Sequence, residues 1–196
     1  MTTAEETTLA SGGLVRRATL ARGAIAGVGA WLLGYLVAYV WKSETVVEAL
    51  EGVGFVSRLL GGEAIPAWKG VTWLFLNAHF VATRFPTIAG GTRTTNVVTG
   101  EEGSTLLLAL PALLLVVAGV VAAYGRSGLA ERVAAGASVA LGYLPLSAGA
   151  AFLTSHAIGD TEAAISADPV TAILLAGVVY PAVFGAFGGA VAGLLE

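Results

Sequence analysis

The chain contains no cysteine and only two histidines, His79 and His156. The first absence excludes disulfides, thiolate zinc sites, iron–sulfur centres and cysteine nucleophiles together. The second leaves only a carboxylate-rich site for a metal. Charge is scarce too: 12% of the 196 residues are charged and 56% are hydrophobic, whereas a soluble domain carries roughly 25% charged residues. Water would meet far too much apolar surface, so lipid has to be the solvent for much of the chain. Ten basic residues scattered along a chain of net charge −3 argue against nucleic-acid binding. No Pro- or Ser-rich linker divides the sequence, which reads as one small polytopic domain.

The charge that is present is skewed, with eight arginines against two lysines and eleven glutamates against two aspartates. Lysine poverty with acidic loops resembles proteins from salt-loving archaea.

Residues 1–22 read as a polar cytoplasmic tail ending in Arg16, Arg17 and Arg22, and residues 23–196 as a single transmembrane helical domain. Gly23 to Trp41 is free of charge and long enough to cross the ~30 Å hydrocarbon layer at ~1.5 Å per residue. A cleaved signal peptide is the competing reading, but Tyr39, Trp41 and Lys42 end the run as interfacial anchors rather than as a small-residue cleavage site. Ser104 to Tyr124 is a second span with Pro111 inside it. Val133 to about Leu153 is a third, with Gly142, Pro145 and Gly149. The last starts at Asp168-Pro169, a cap followed by a first-turn proline, and runs to about Leu194. Pro181 near its middle predicts a kink.

Residues 66–85, PAWKGVTWLFLNAHFVATRF, are helical by composition. Their apolar core is too short for a clear span, so a re-entrant or interfacial helix competes with a fifth span. The positive-inside rule separates the two. Without a fifth span, Arg126 and Arg132 lie on the cytoplasmic side with the arginine-rich tail, and the acidic loop 154–168 lies outside. The expected fold is therefore all-α: a polytopic bundle of four spans, five being the alternative, with both termini cytoplasmic in the cell membrane. Residues 42–103 form an external excursion. It opens with an amphipathic helix, Glu44 to Leu60, whose apolar face is Val46, Leu50, Val53, Val56 and Leu60. Such a helix would lie on the membrane surface or cap the bundle. Gly61-Gly62 stops it, and residues 86–103 read as a loop with a short extended piece at 97–99.

Small residues recur at intervals of four: Gly23 and Gly27, then Ala26, Ala30 and Gly34, and finally Gly185, Gly189 and Gly193. These ridges suit helix packing within the bundle, or a homo-oligomer or partner interface. The four spans hold no charge at their centres, which argues against proton pumps, carriers of charged substrates and intramembrane metalloenzymes. On the 66–85 helix, Lys69, Thr72, His79 and Thr83 form one polar stripe, with Asn77 and Arg84 as a second pair. The stripe either hydrogen-bonds neighbouring helices and headgroups or lines a cavity. His79, His156 and Asp160 are the weak candidates for a metal site. No GxSxG elbow, phosphate loop or other cofactor motif is present, so neither a catalytic residue nor a cofactor is expected.

Through Trp73, Phe75, Asn77, Ala78, His79, Phe80 and Val81, the FLNAHFV stretch resembles an aromatic-rich segment of small multi-span haloarchaeal membrane proteins that carry a domain of unknown function. The resemblance implies a lineage and a membrane location but no activity. The preferred reading is a non-enzymatic membrane subunit or accessory protein that acts through helix and partner contacts. The alternative is a transporter or channel for a small neutral solute, lined by the polar stripe.

Overall fold

The structure is a computed structural model that describes residues 3–87, 90–99 and 105–195, with side chains from Arg17 onward except Thr105. Among these, four helices are long and apolar enough to cross a membrane: Arg17–Leu59, Leu106–Ala123, Leu129–Leu153 and Pro169–Leu194. The fold is a polytopic helical bundle, as the apolar runs require. The Ser104 start expected for the second span lies outside the described residues.

Helix α1 (Thr3–Leu59) runs unbroken through the tail, the first span and the amphipathic segment. Neither Gly nor Pro stands between Trp41 and Glu44, so the expected separate helix instead continues the span, and roughly 25 Å of helix follows Trp41. Its packed stripe is Val46, Leu50 and Val53, extended by the fully buried Ser57, whose hydroxyl accepts the Gly159 N–H. Val56 and Leu60 do not share it and are exposed. Val56 lies about 80° off that stripe at 3.6 residues per turn, and Leu60 falls past the helix end. Gly61, at φ 85°, ends the helix in a left-handed turn.

Helix α2 (Ala67–Asn77) follows Pro66 and covers about 16 Å, half of the hydrocarbon layer. Both flanks of this segment sit at one end of the bundle. Lys69 Nζ donates to the Ser155 carbonyl at 2.7 Å and Arg84 pairs with Asp168, and Ser155 and Asp168 bound the same loop. The tip reaches deep, with the Phe75 ring edge-on to Trp31 at 5.4 Å and Trp31 halfway along the first apolar run. The segment therefore enters and leaves the bundle at one end, as a re-entrant helix does, and it is not among the four helices long and apolar enough to span.

A small sheet of order β2-β1-β4-β3 closes this end. Strand β1 (Thr83–Pro86) pairs antiparallel with β2 (Thr92–Thr95) and with β4 (Ala164–Ala167), which also pairs with β3 (His156–Ala157). The expected loop over 86–103 thus holds a strand at 92–95, while the extended piece placed at 97–99 is a series of bends. Strand β2 pairs with TRFP, which reads from composition as a helix end.

The second span is α3 (Thr105–Ala123), continuous across Pro111. The third is α4 (Leu129–Ala137) and α5 (Ala140–Leu153), joined by a tight turn at Ser138 and Val139. The last begins as the sequence signals: the Asp168 carboxylate accepts the Thr171 N–H at 2.8 Å beside Pro169. After α6 (Pro169–Thr171) come a π-helical stretch, Ala172–Val179, then α7 (Tyr180–Val191) and a 3₁₀ turn, Ala192–Leu194. The π-helix accommodates Pro181. Proline has no N–H for the Gly177 carbonyl, and the Tyr180 N–H reaches back five residues to Leu175.

Helix α1 packs against α3, α2 and α5, and α7 against α3 and α4. Backbones meet directly where side chains are absent: a Cβ on Gly27 would collide with the Val139 carbonyl, and one on Gly142 with the Ala24 carbonyl. Ala30 is buried, and Gly34 faces the Phe75 ring. Gly185 lies against Gly136, while Gly189 and Gly193 lie against Arg132. In lipid, where no hydrophobic drive separates helix from tail, such close approach supplies dispersion and weak Cα–H···O contacts. The opposite end carries arginine: Arg22 donates to the Tyr124 carbonyl at 2.9 Å and Arg132 to the Arg126 carbonyl at 2.8 Å.

Two outcomes follow. With no native cysteine to interfere, single cysteines replacing Glu48, Arg93 or Glu162 will react with an impermeant maleimide from one face of sealed vesicles, and one replacing Ser127 from the other. Opposite-face labelling of Glu48→Cys and Arg93→Cys would sink the re-entrant assignment. Gly189→Leu will destabilise the bundle by about 1–3 kcal/mol or more through overpacking, read as a lower thermal midpoint in detergent. An unchanged midpoint would show that this ridge is not packed against α4.

Candidate functional site: the tip of the re-entrant helix

A helix that ends at membrane depth leaves its last four carbonyls without intrahelical donors, and there is no water there to replace them. The residues following α2 satisfy those groups. The Leu74 carbonyl accepts the Ala78 N–H at 3.1 Å, and the Leu76 carbonyl accepts the N–H groups of His79 and Val81 at 2.9 and 3.2 Å. The Phe75 carbonyl takes the His79 ring at 2.8 Å. The Asn77 carbonyl accepts the Phe80 N–H at 2.9 Å and the Asn96 side-chain amide at 3.0 Å. Phe80, at φ 62°, reverses the chain here. A bulky residue in the left-handed region is strained by about 1–3 kcal/mol, so the surrounding contacts have to hold it.

His79 is fully buried. A carbonyl can only accept, so Nδ1 carries the proton toward Phe75, and Nε2 accepts the Tyr143 hydroxyl at 2.7 Å. With one ring nitrogen donating and the other accepting, the imidazole is the neutral Nδ1–H tautomer. Its ring is T-shaped to Phe75 at 5.0 Å and tilted against Tyr180 at 5.1 Å between centroids. Asn77, also fully buried, donates through Nδ2 to the Val81 carbonyl at 2.8 Å and to Thr83 Oγ1 at 3.0 Å, and its Oδ1 accepts the Val97 N–H at 2.8 Å. One side chain thereby ties the tip to β1 and to the chain after β2.

The stripe residues are hydrogen-bonded within the protein, although Thr72 also lines the groove between α1, α2 and α5. Thr72 donates to the Trp68 carbonyl at 2.7 Å, Lys69 holds Ser155, and Thr83 receives Asn77. Arg84 belongs to the ion pair with Asp168 at the membrane end. The three weak metal candidates are not brought together. Helix α5 ends at Leu153, His156 lies in β3 with Nε2 3.4 Å from the Glu63 carbonyl, and Asp160 sits beside the Gly61 turn with its N–H on the Leu60 carbonyl. Among the described residues no group of three His, Asp or Glu could hold a metal. Sequence reasoning missed Tyr143 and Tyr180, although a tyrosine within an otherwise apolar span signals a hydroxyl that needs a partner. Ser147 is a further buried tie: its Oγ accepts Trp31 Nε1 at 3.2 Å.

Four spans and a capped half-helix define a multi-pass helical membrane protein with a re-entrant segment. The chain belongs to a family of unknown function (DUF7978), whose family model matches residues 1–196. No curated protein and no solved structure matches it.

Tyr143→Phe will leave Nε2 without a donor and destabilise the protein by about 1–3 kcal/mol, measured as thermal unfolding in detergent, whereas Tyr180→Phe will cost less. Equal effects would mean that the Tyr143 hydroxyl is not what holds His79.

Proposed function

We propose that this protein is a non-enzymatic membrane subunit or accessory protein that acts through helix and partner contacts. The observation that carries this is the contrast between a filled interior and an open outer surface. The stripe residues Thr72, Asn77, His79 and Thr83 are all buried and hydrogen-bonded. Beyond the membrane, α1 presents a groove of about 580 Å³ lined by Val47, Leu50, Phe55 and Ile65 with Glu51 and Arg58 beside them, and Phe55 and Leu59 are exposed. Apolar surface in water beside a charged rim suits a protein partner. The arginines at one end and Asp160, Glu162 and Asp168 at the other support cytoplasmic termini by the positive-inside rule. They also support an external placement for residues 42–103. The arginine- and glutamate-rich composition supports a salt-loving archaeal source.

A photocrosslinker replacing Phe55 or Leu59 in native membranes will give a discrete heteromeric adduct, identified by mass, while one replacing the lipid-facing Val40 will not. A monomer that forms no adduct at either site, and is stabilised by a small neutral solute, would reverse the reading. Tyr180, between the π-helix and Pro181, lies 5.1 Å from His79 at the tip, an arrangement that also suits a carrier of such solutes.

A further inference from the structure

A second groove, about 410 Å³ in volume, lies between α1, α2 and α5. It runs beside the first and third spans. Trp31, hydrogen-bonded to Ser147, lies at its inner end, and Trp68, Leu153 and Thr154 mark its outer end. The walls are Tyr35 and Leu146 beside Pro145. Gly149 opens it: a Cβ built there meets nothing within 4 Å. The rim residues Trp68 and Leu153 are exposed, so the groove opens sideways into the hydrocarbon, where acyl chains are the solvent.

The outer end carries charge. Lys69 Nζ lies 5.6 Å from the Trp68 ring centroid and donates to the carbonyl of Ser155, next in sequence to Thr154. An ammonium has three donors, so that single bond leaves others for an anion. The length of the groove matches the depth of one bilayer leaflet: Pro145 to Thr154 spans about 14 Å along the helix. We infer that this groove binds one anionic phospholipid, with an acyl chain lying along Gly149 toward Trp31 and the phosphate on Lys69. Lipid held there would brace α2 against α5 beside the Trp73 Nε1 to Thr154 Oγ1 hydrogen bond, 3.1 Å long, that joins them.

Native mass spectrometry of the detergent-purified protein with added phosphatidylglycerol or phosphatidylcholine tests this. One phosphatidylglycerol is expected to persist at activation energies that strip phosphatidylcholine. Gly149→Leu fills open space and should reduce that occupancy at least tenfold with the thermal midpoint maintained. Lys69→Gln should abolish the preference for the anionic headgroup. Millimolar glycerol phosphate should leave binding unchanged, because the acyl chain carries the contact. Equal retention of both lipids, or retention unaffected by both substitutions, would overturn the assignment and leave annular lipid only. Displacement by glycerol phosphate would do the same.

Discussion

Backbone polar groups at membrane depth must find partners within the protein, and this constraint decides the shape of the re-entrant segment. An 11-residue helix cannot cross the bilayer, so its carboxyl end opens inside it. The NAHFV stretch answers that problem residue by residue. Asn77 and His79 are polar because the Phe75 carbonyl, the Val81 carbonyl and the Val97 N–H would otherwise be bare. Phe80 takes the left-handed conformation that turns the chain back, and its ring lies 6.1 Å from that of Tyr180. Polarity that resembles a functional stripe in sequence is, in the fold, the capping of a helix where water is absent.

That cap also positions what surrounds it. His79 fixes Tyr143 on α5 and packs at a tilt against the Tyr180 ring at the junction of the π-helix and α7. Asn77 fixes the chain after β2, and the Arg84 pair fixes the start of the last span. The small sheet is a consequence: once the chain returns from the tip at Thr83, its strand has unpaired edges, and β2 and β4 cover both. Elsewhere glycine lets the helix backbones touch, and the Trp31–Ser147 hydrogen bond adds a polar tie between α1 and α5.

The spans were legible because lipid selects long uncharged runs, which survive any error in local propensity. The Asp168 cap and the stop at Gly61 were equally plain, since each rests on chemistry within a few residues. Four-residue strands such as Thr92–Thr95 were not, because their pairing with Thr83–Pro86 is a tertiary choice that leaves no apolar alternation. The direction of the amphipathic face was misread at Val56 for a related reason: a wheel shows which residues share a face, but the returning chain at Gly159 determines how much of that face is covered. Charge asymmetry in the short loops favoured four spans, and the two anchors, Lys69 on Ser155 and Arg84 with Asp168, give the geometric reason.

The same cap bears on the choice between a contact protein and a carrier. A solute path through the tip would have to separate His79 from Tyr143 and loosen Asn77 from the chains it joins. Each buried bond left unpaired costs about 1–3 kcal/mol, and several break together because they share two side chains. A separation of ~5.5 kcal/mol already holds a second state near one part in ten thousand. Opening would therefore require a ligand that replaces those bonds with its own, one presenting both a donor to Nε2 and an acceptor to the Tyr143 hydroxyl. The outer groove on α1 asks for nothing of the kind. Its apolar surface is exposed, the helix beneath it is continuous with a buried span, and a partner seated there would act on the bundle through a single rigid element.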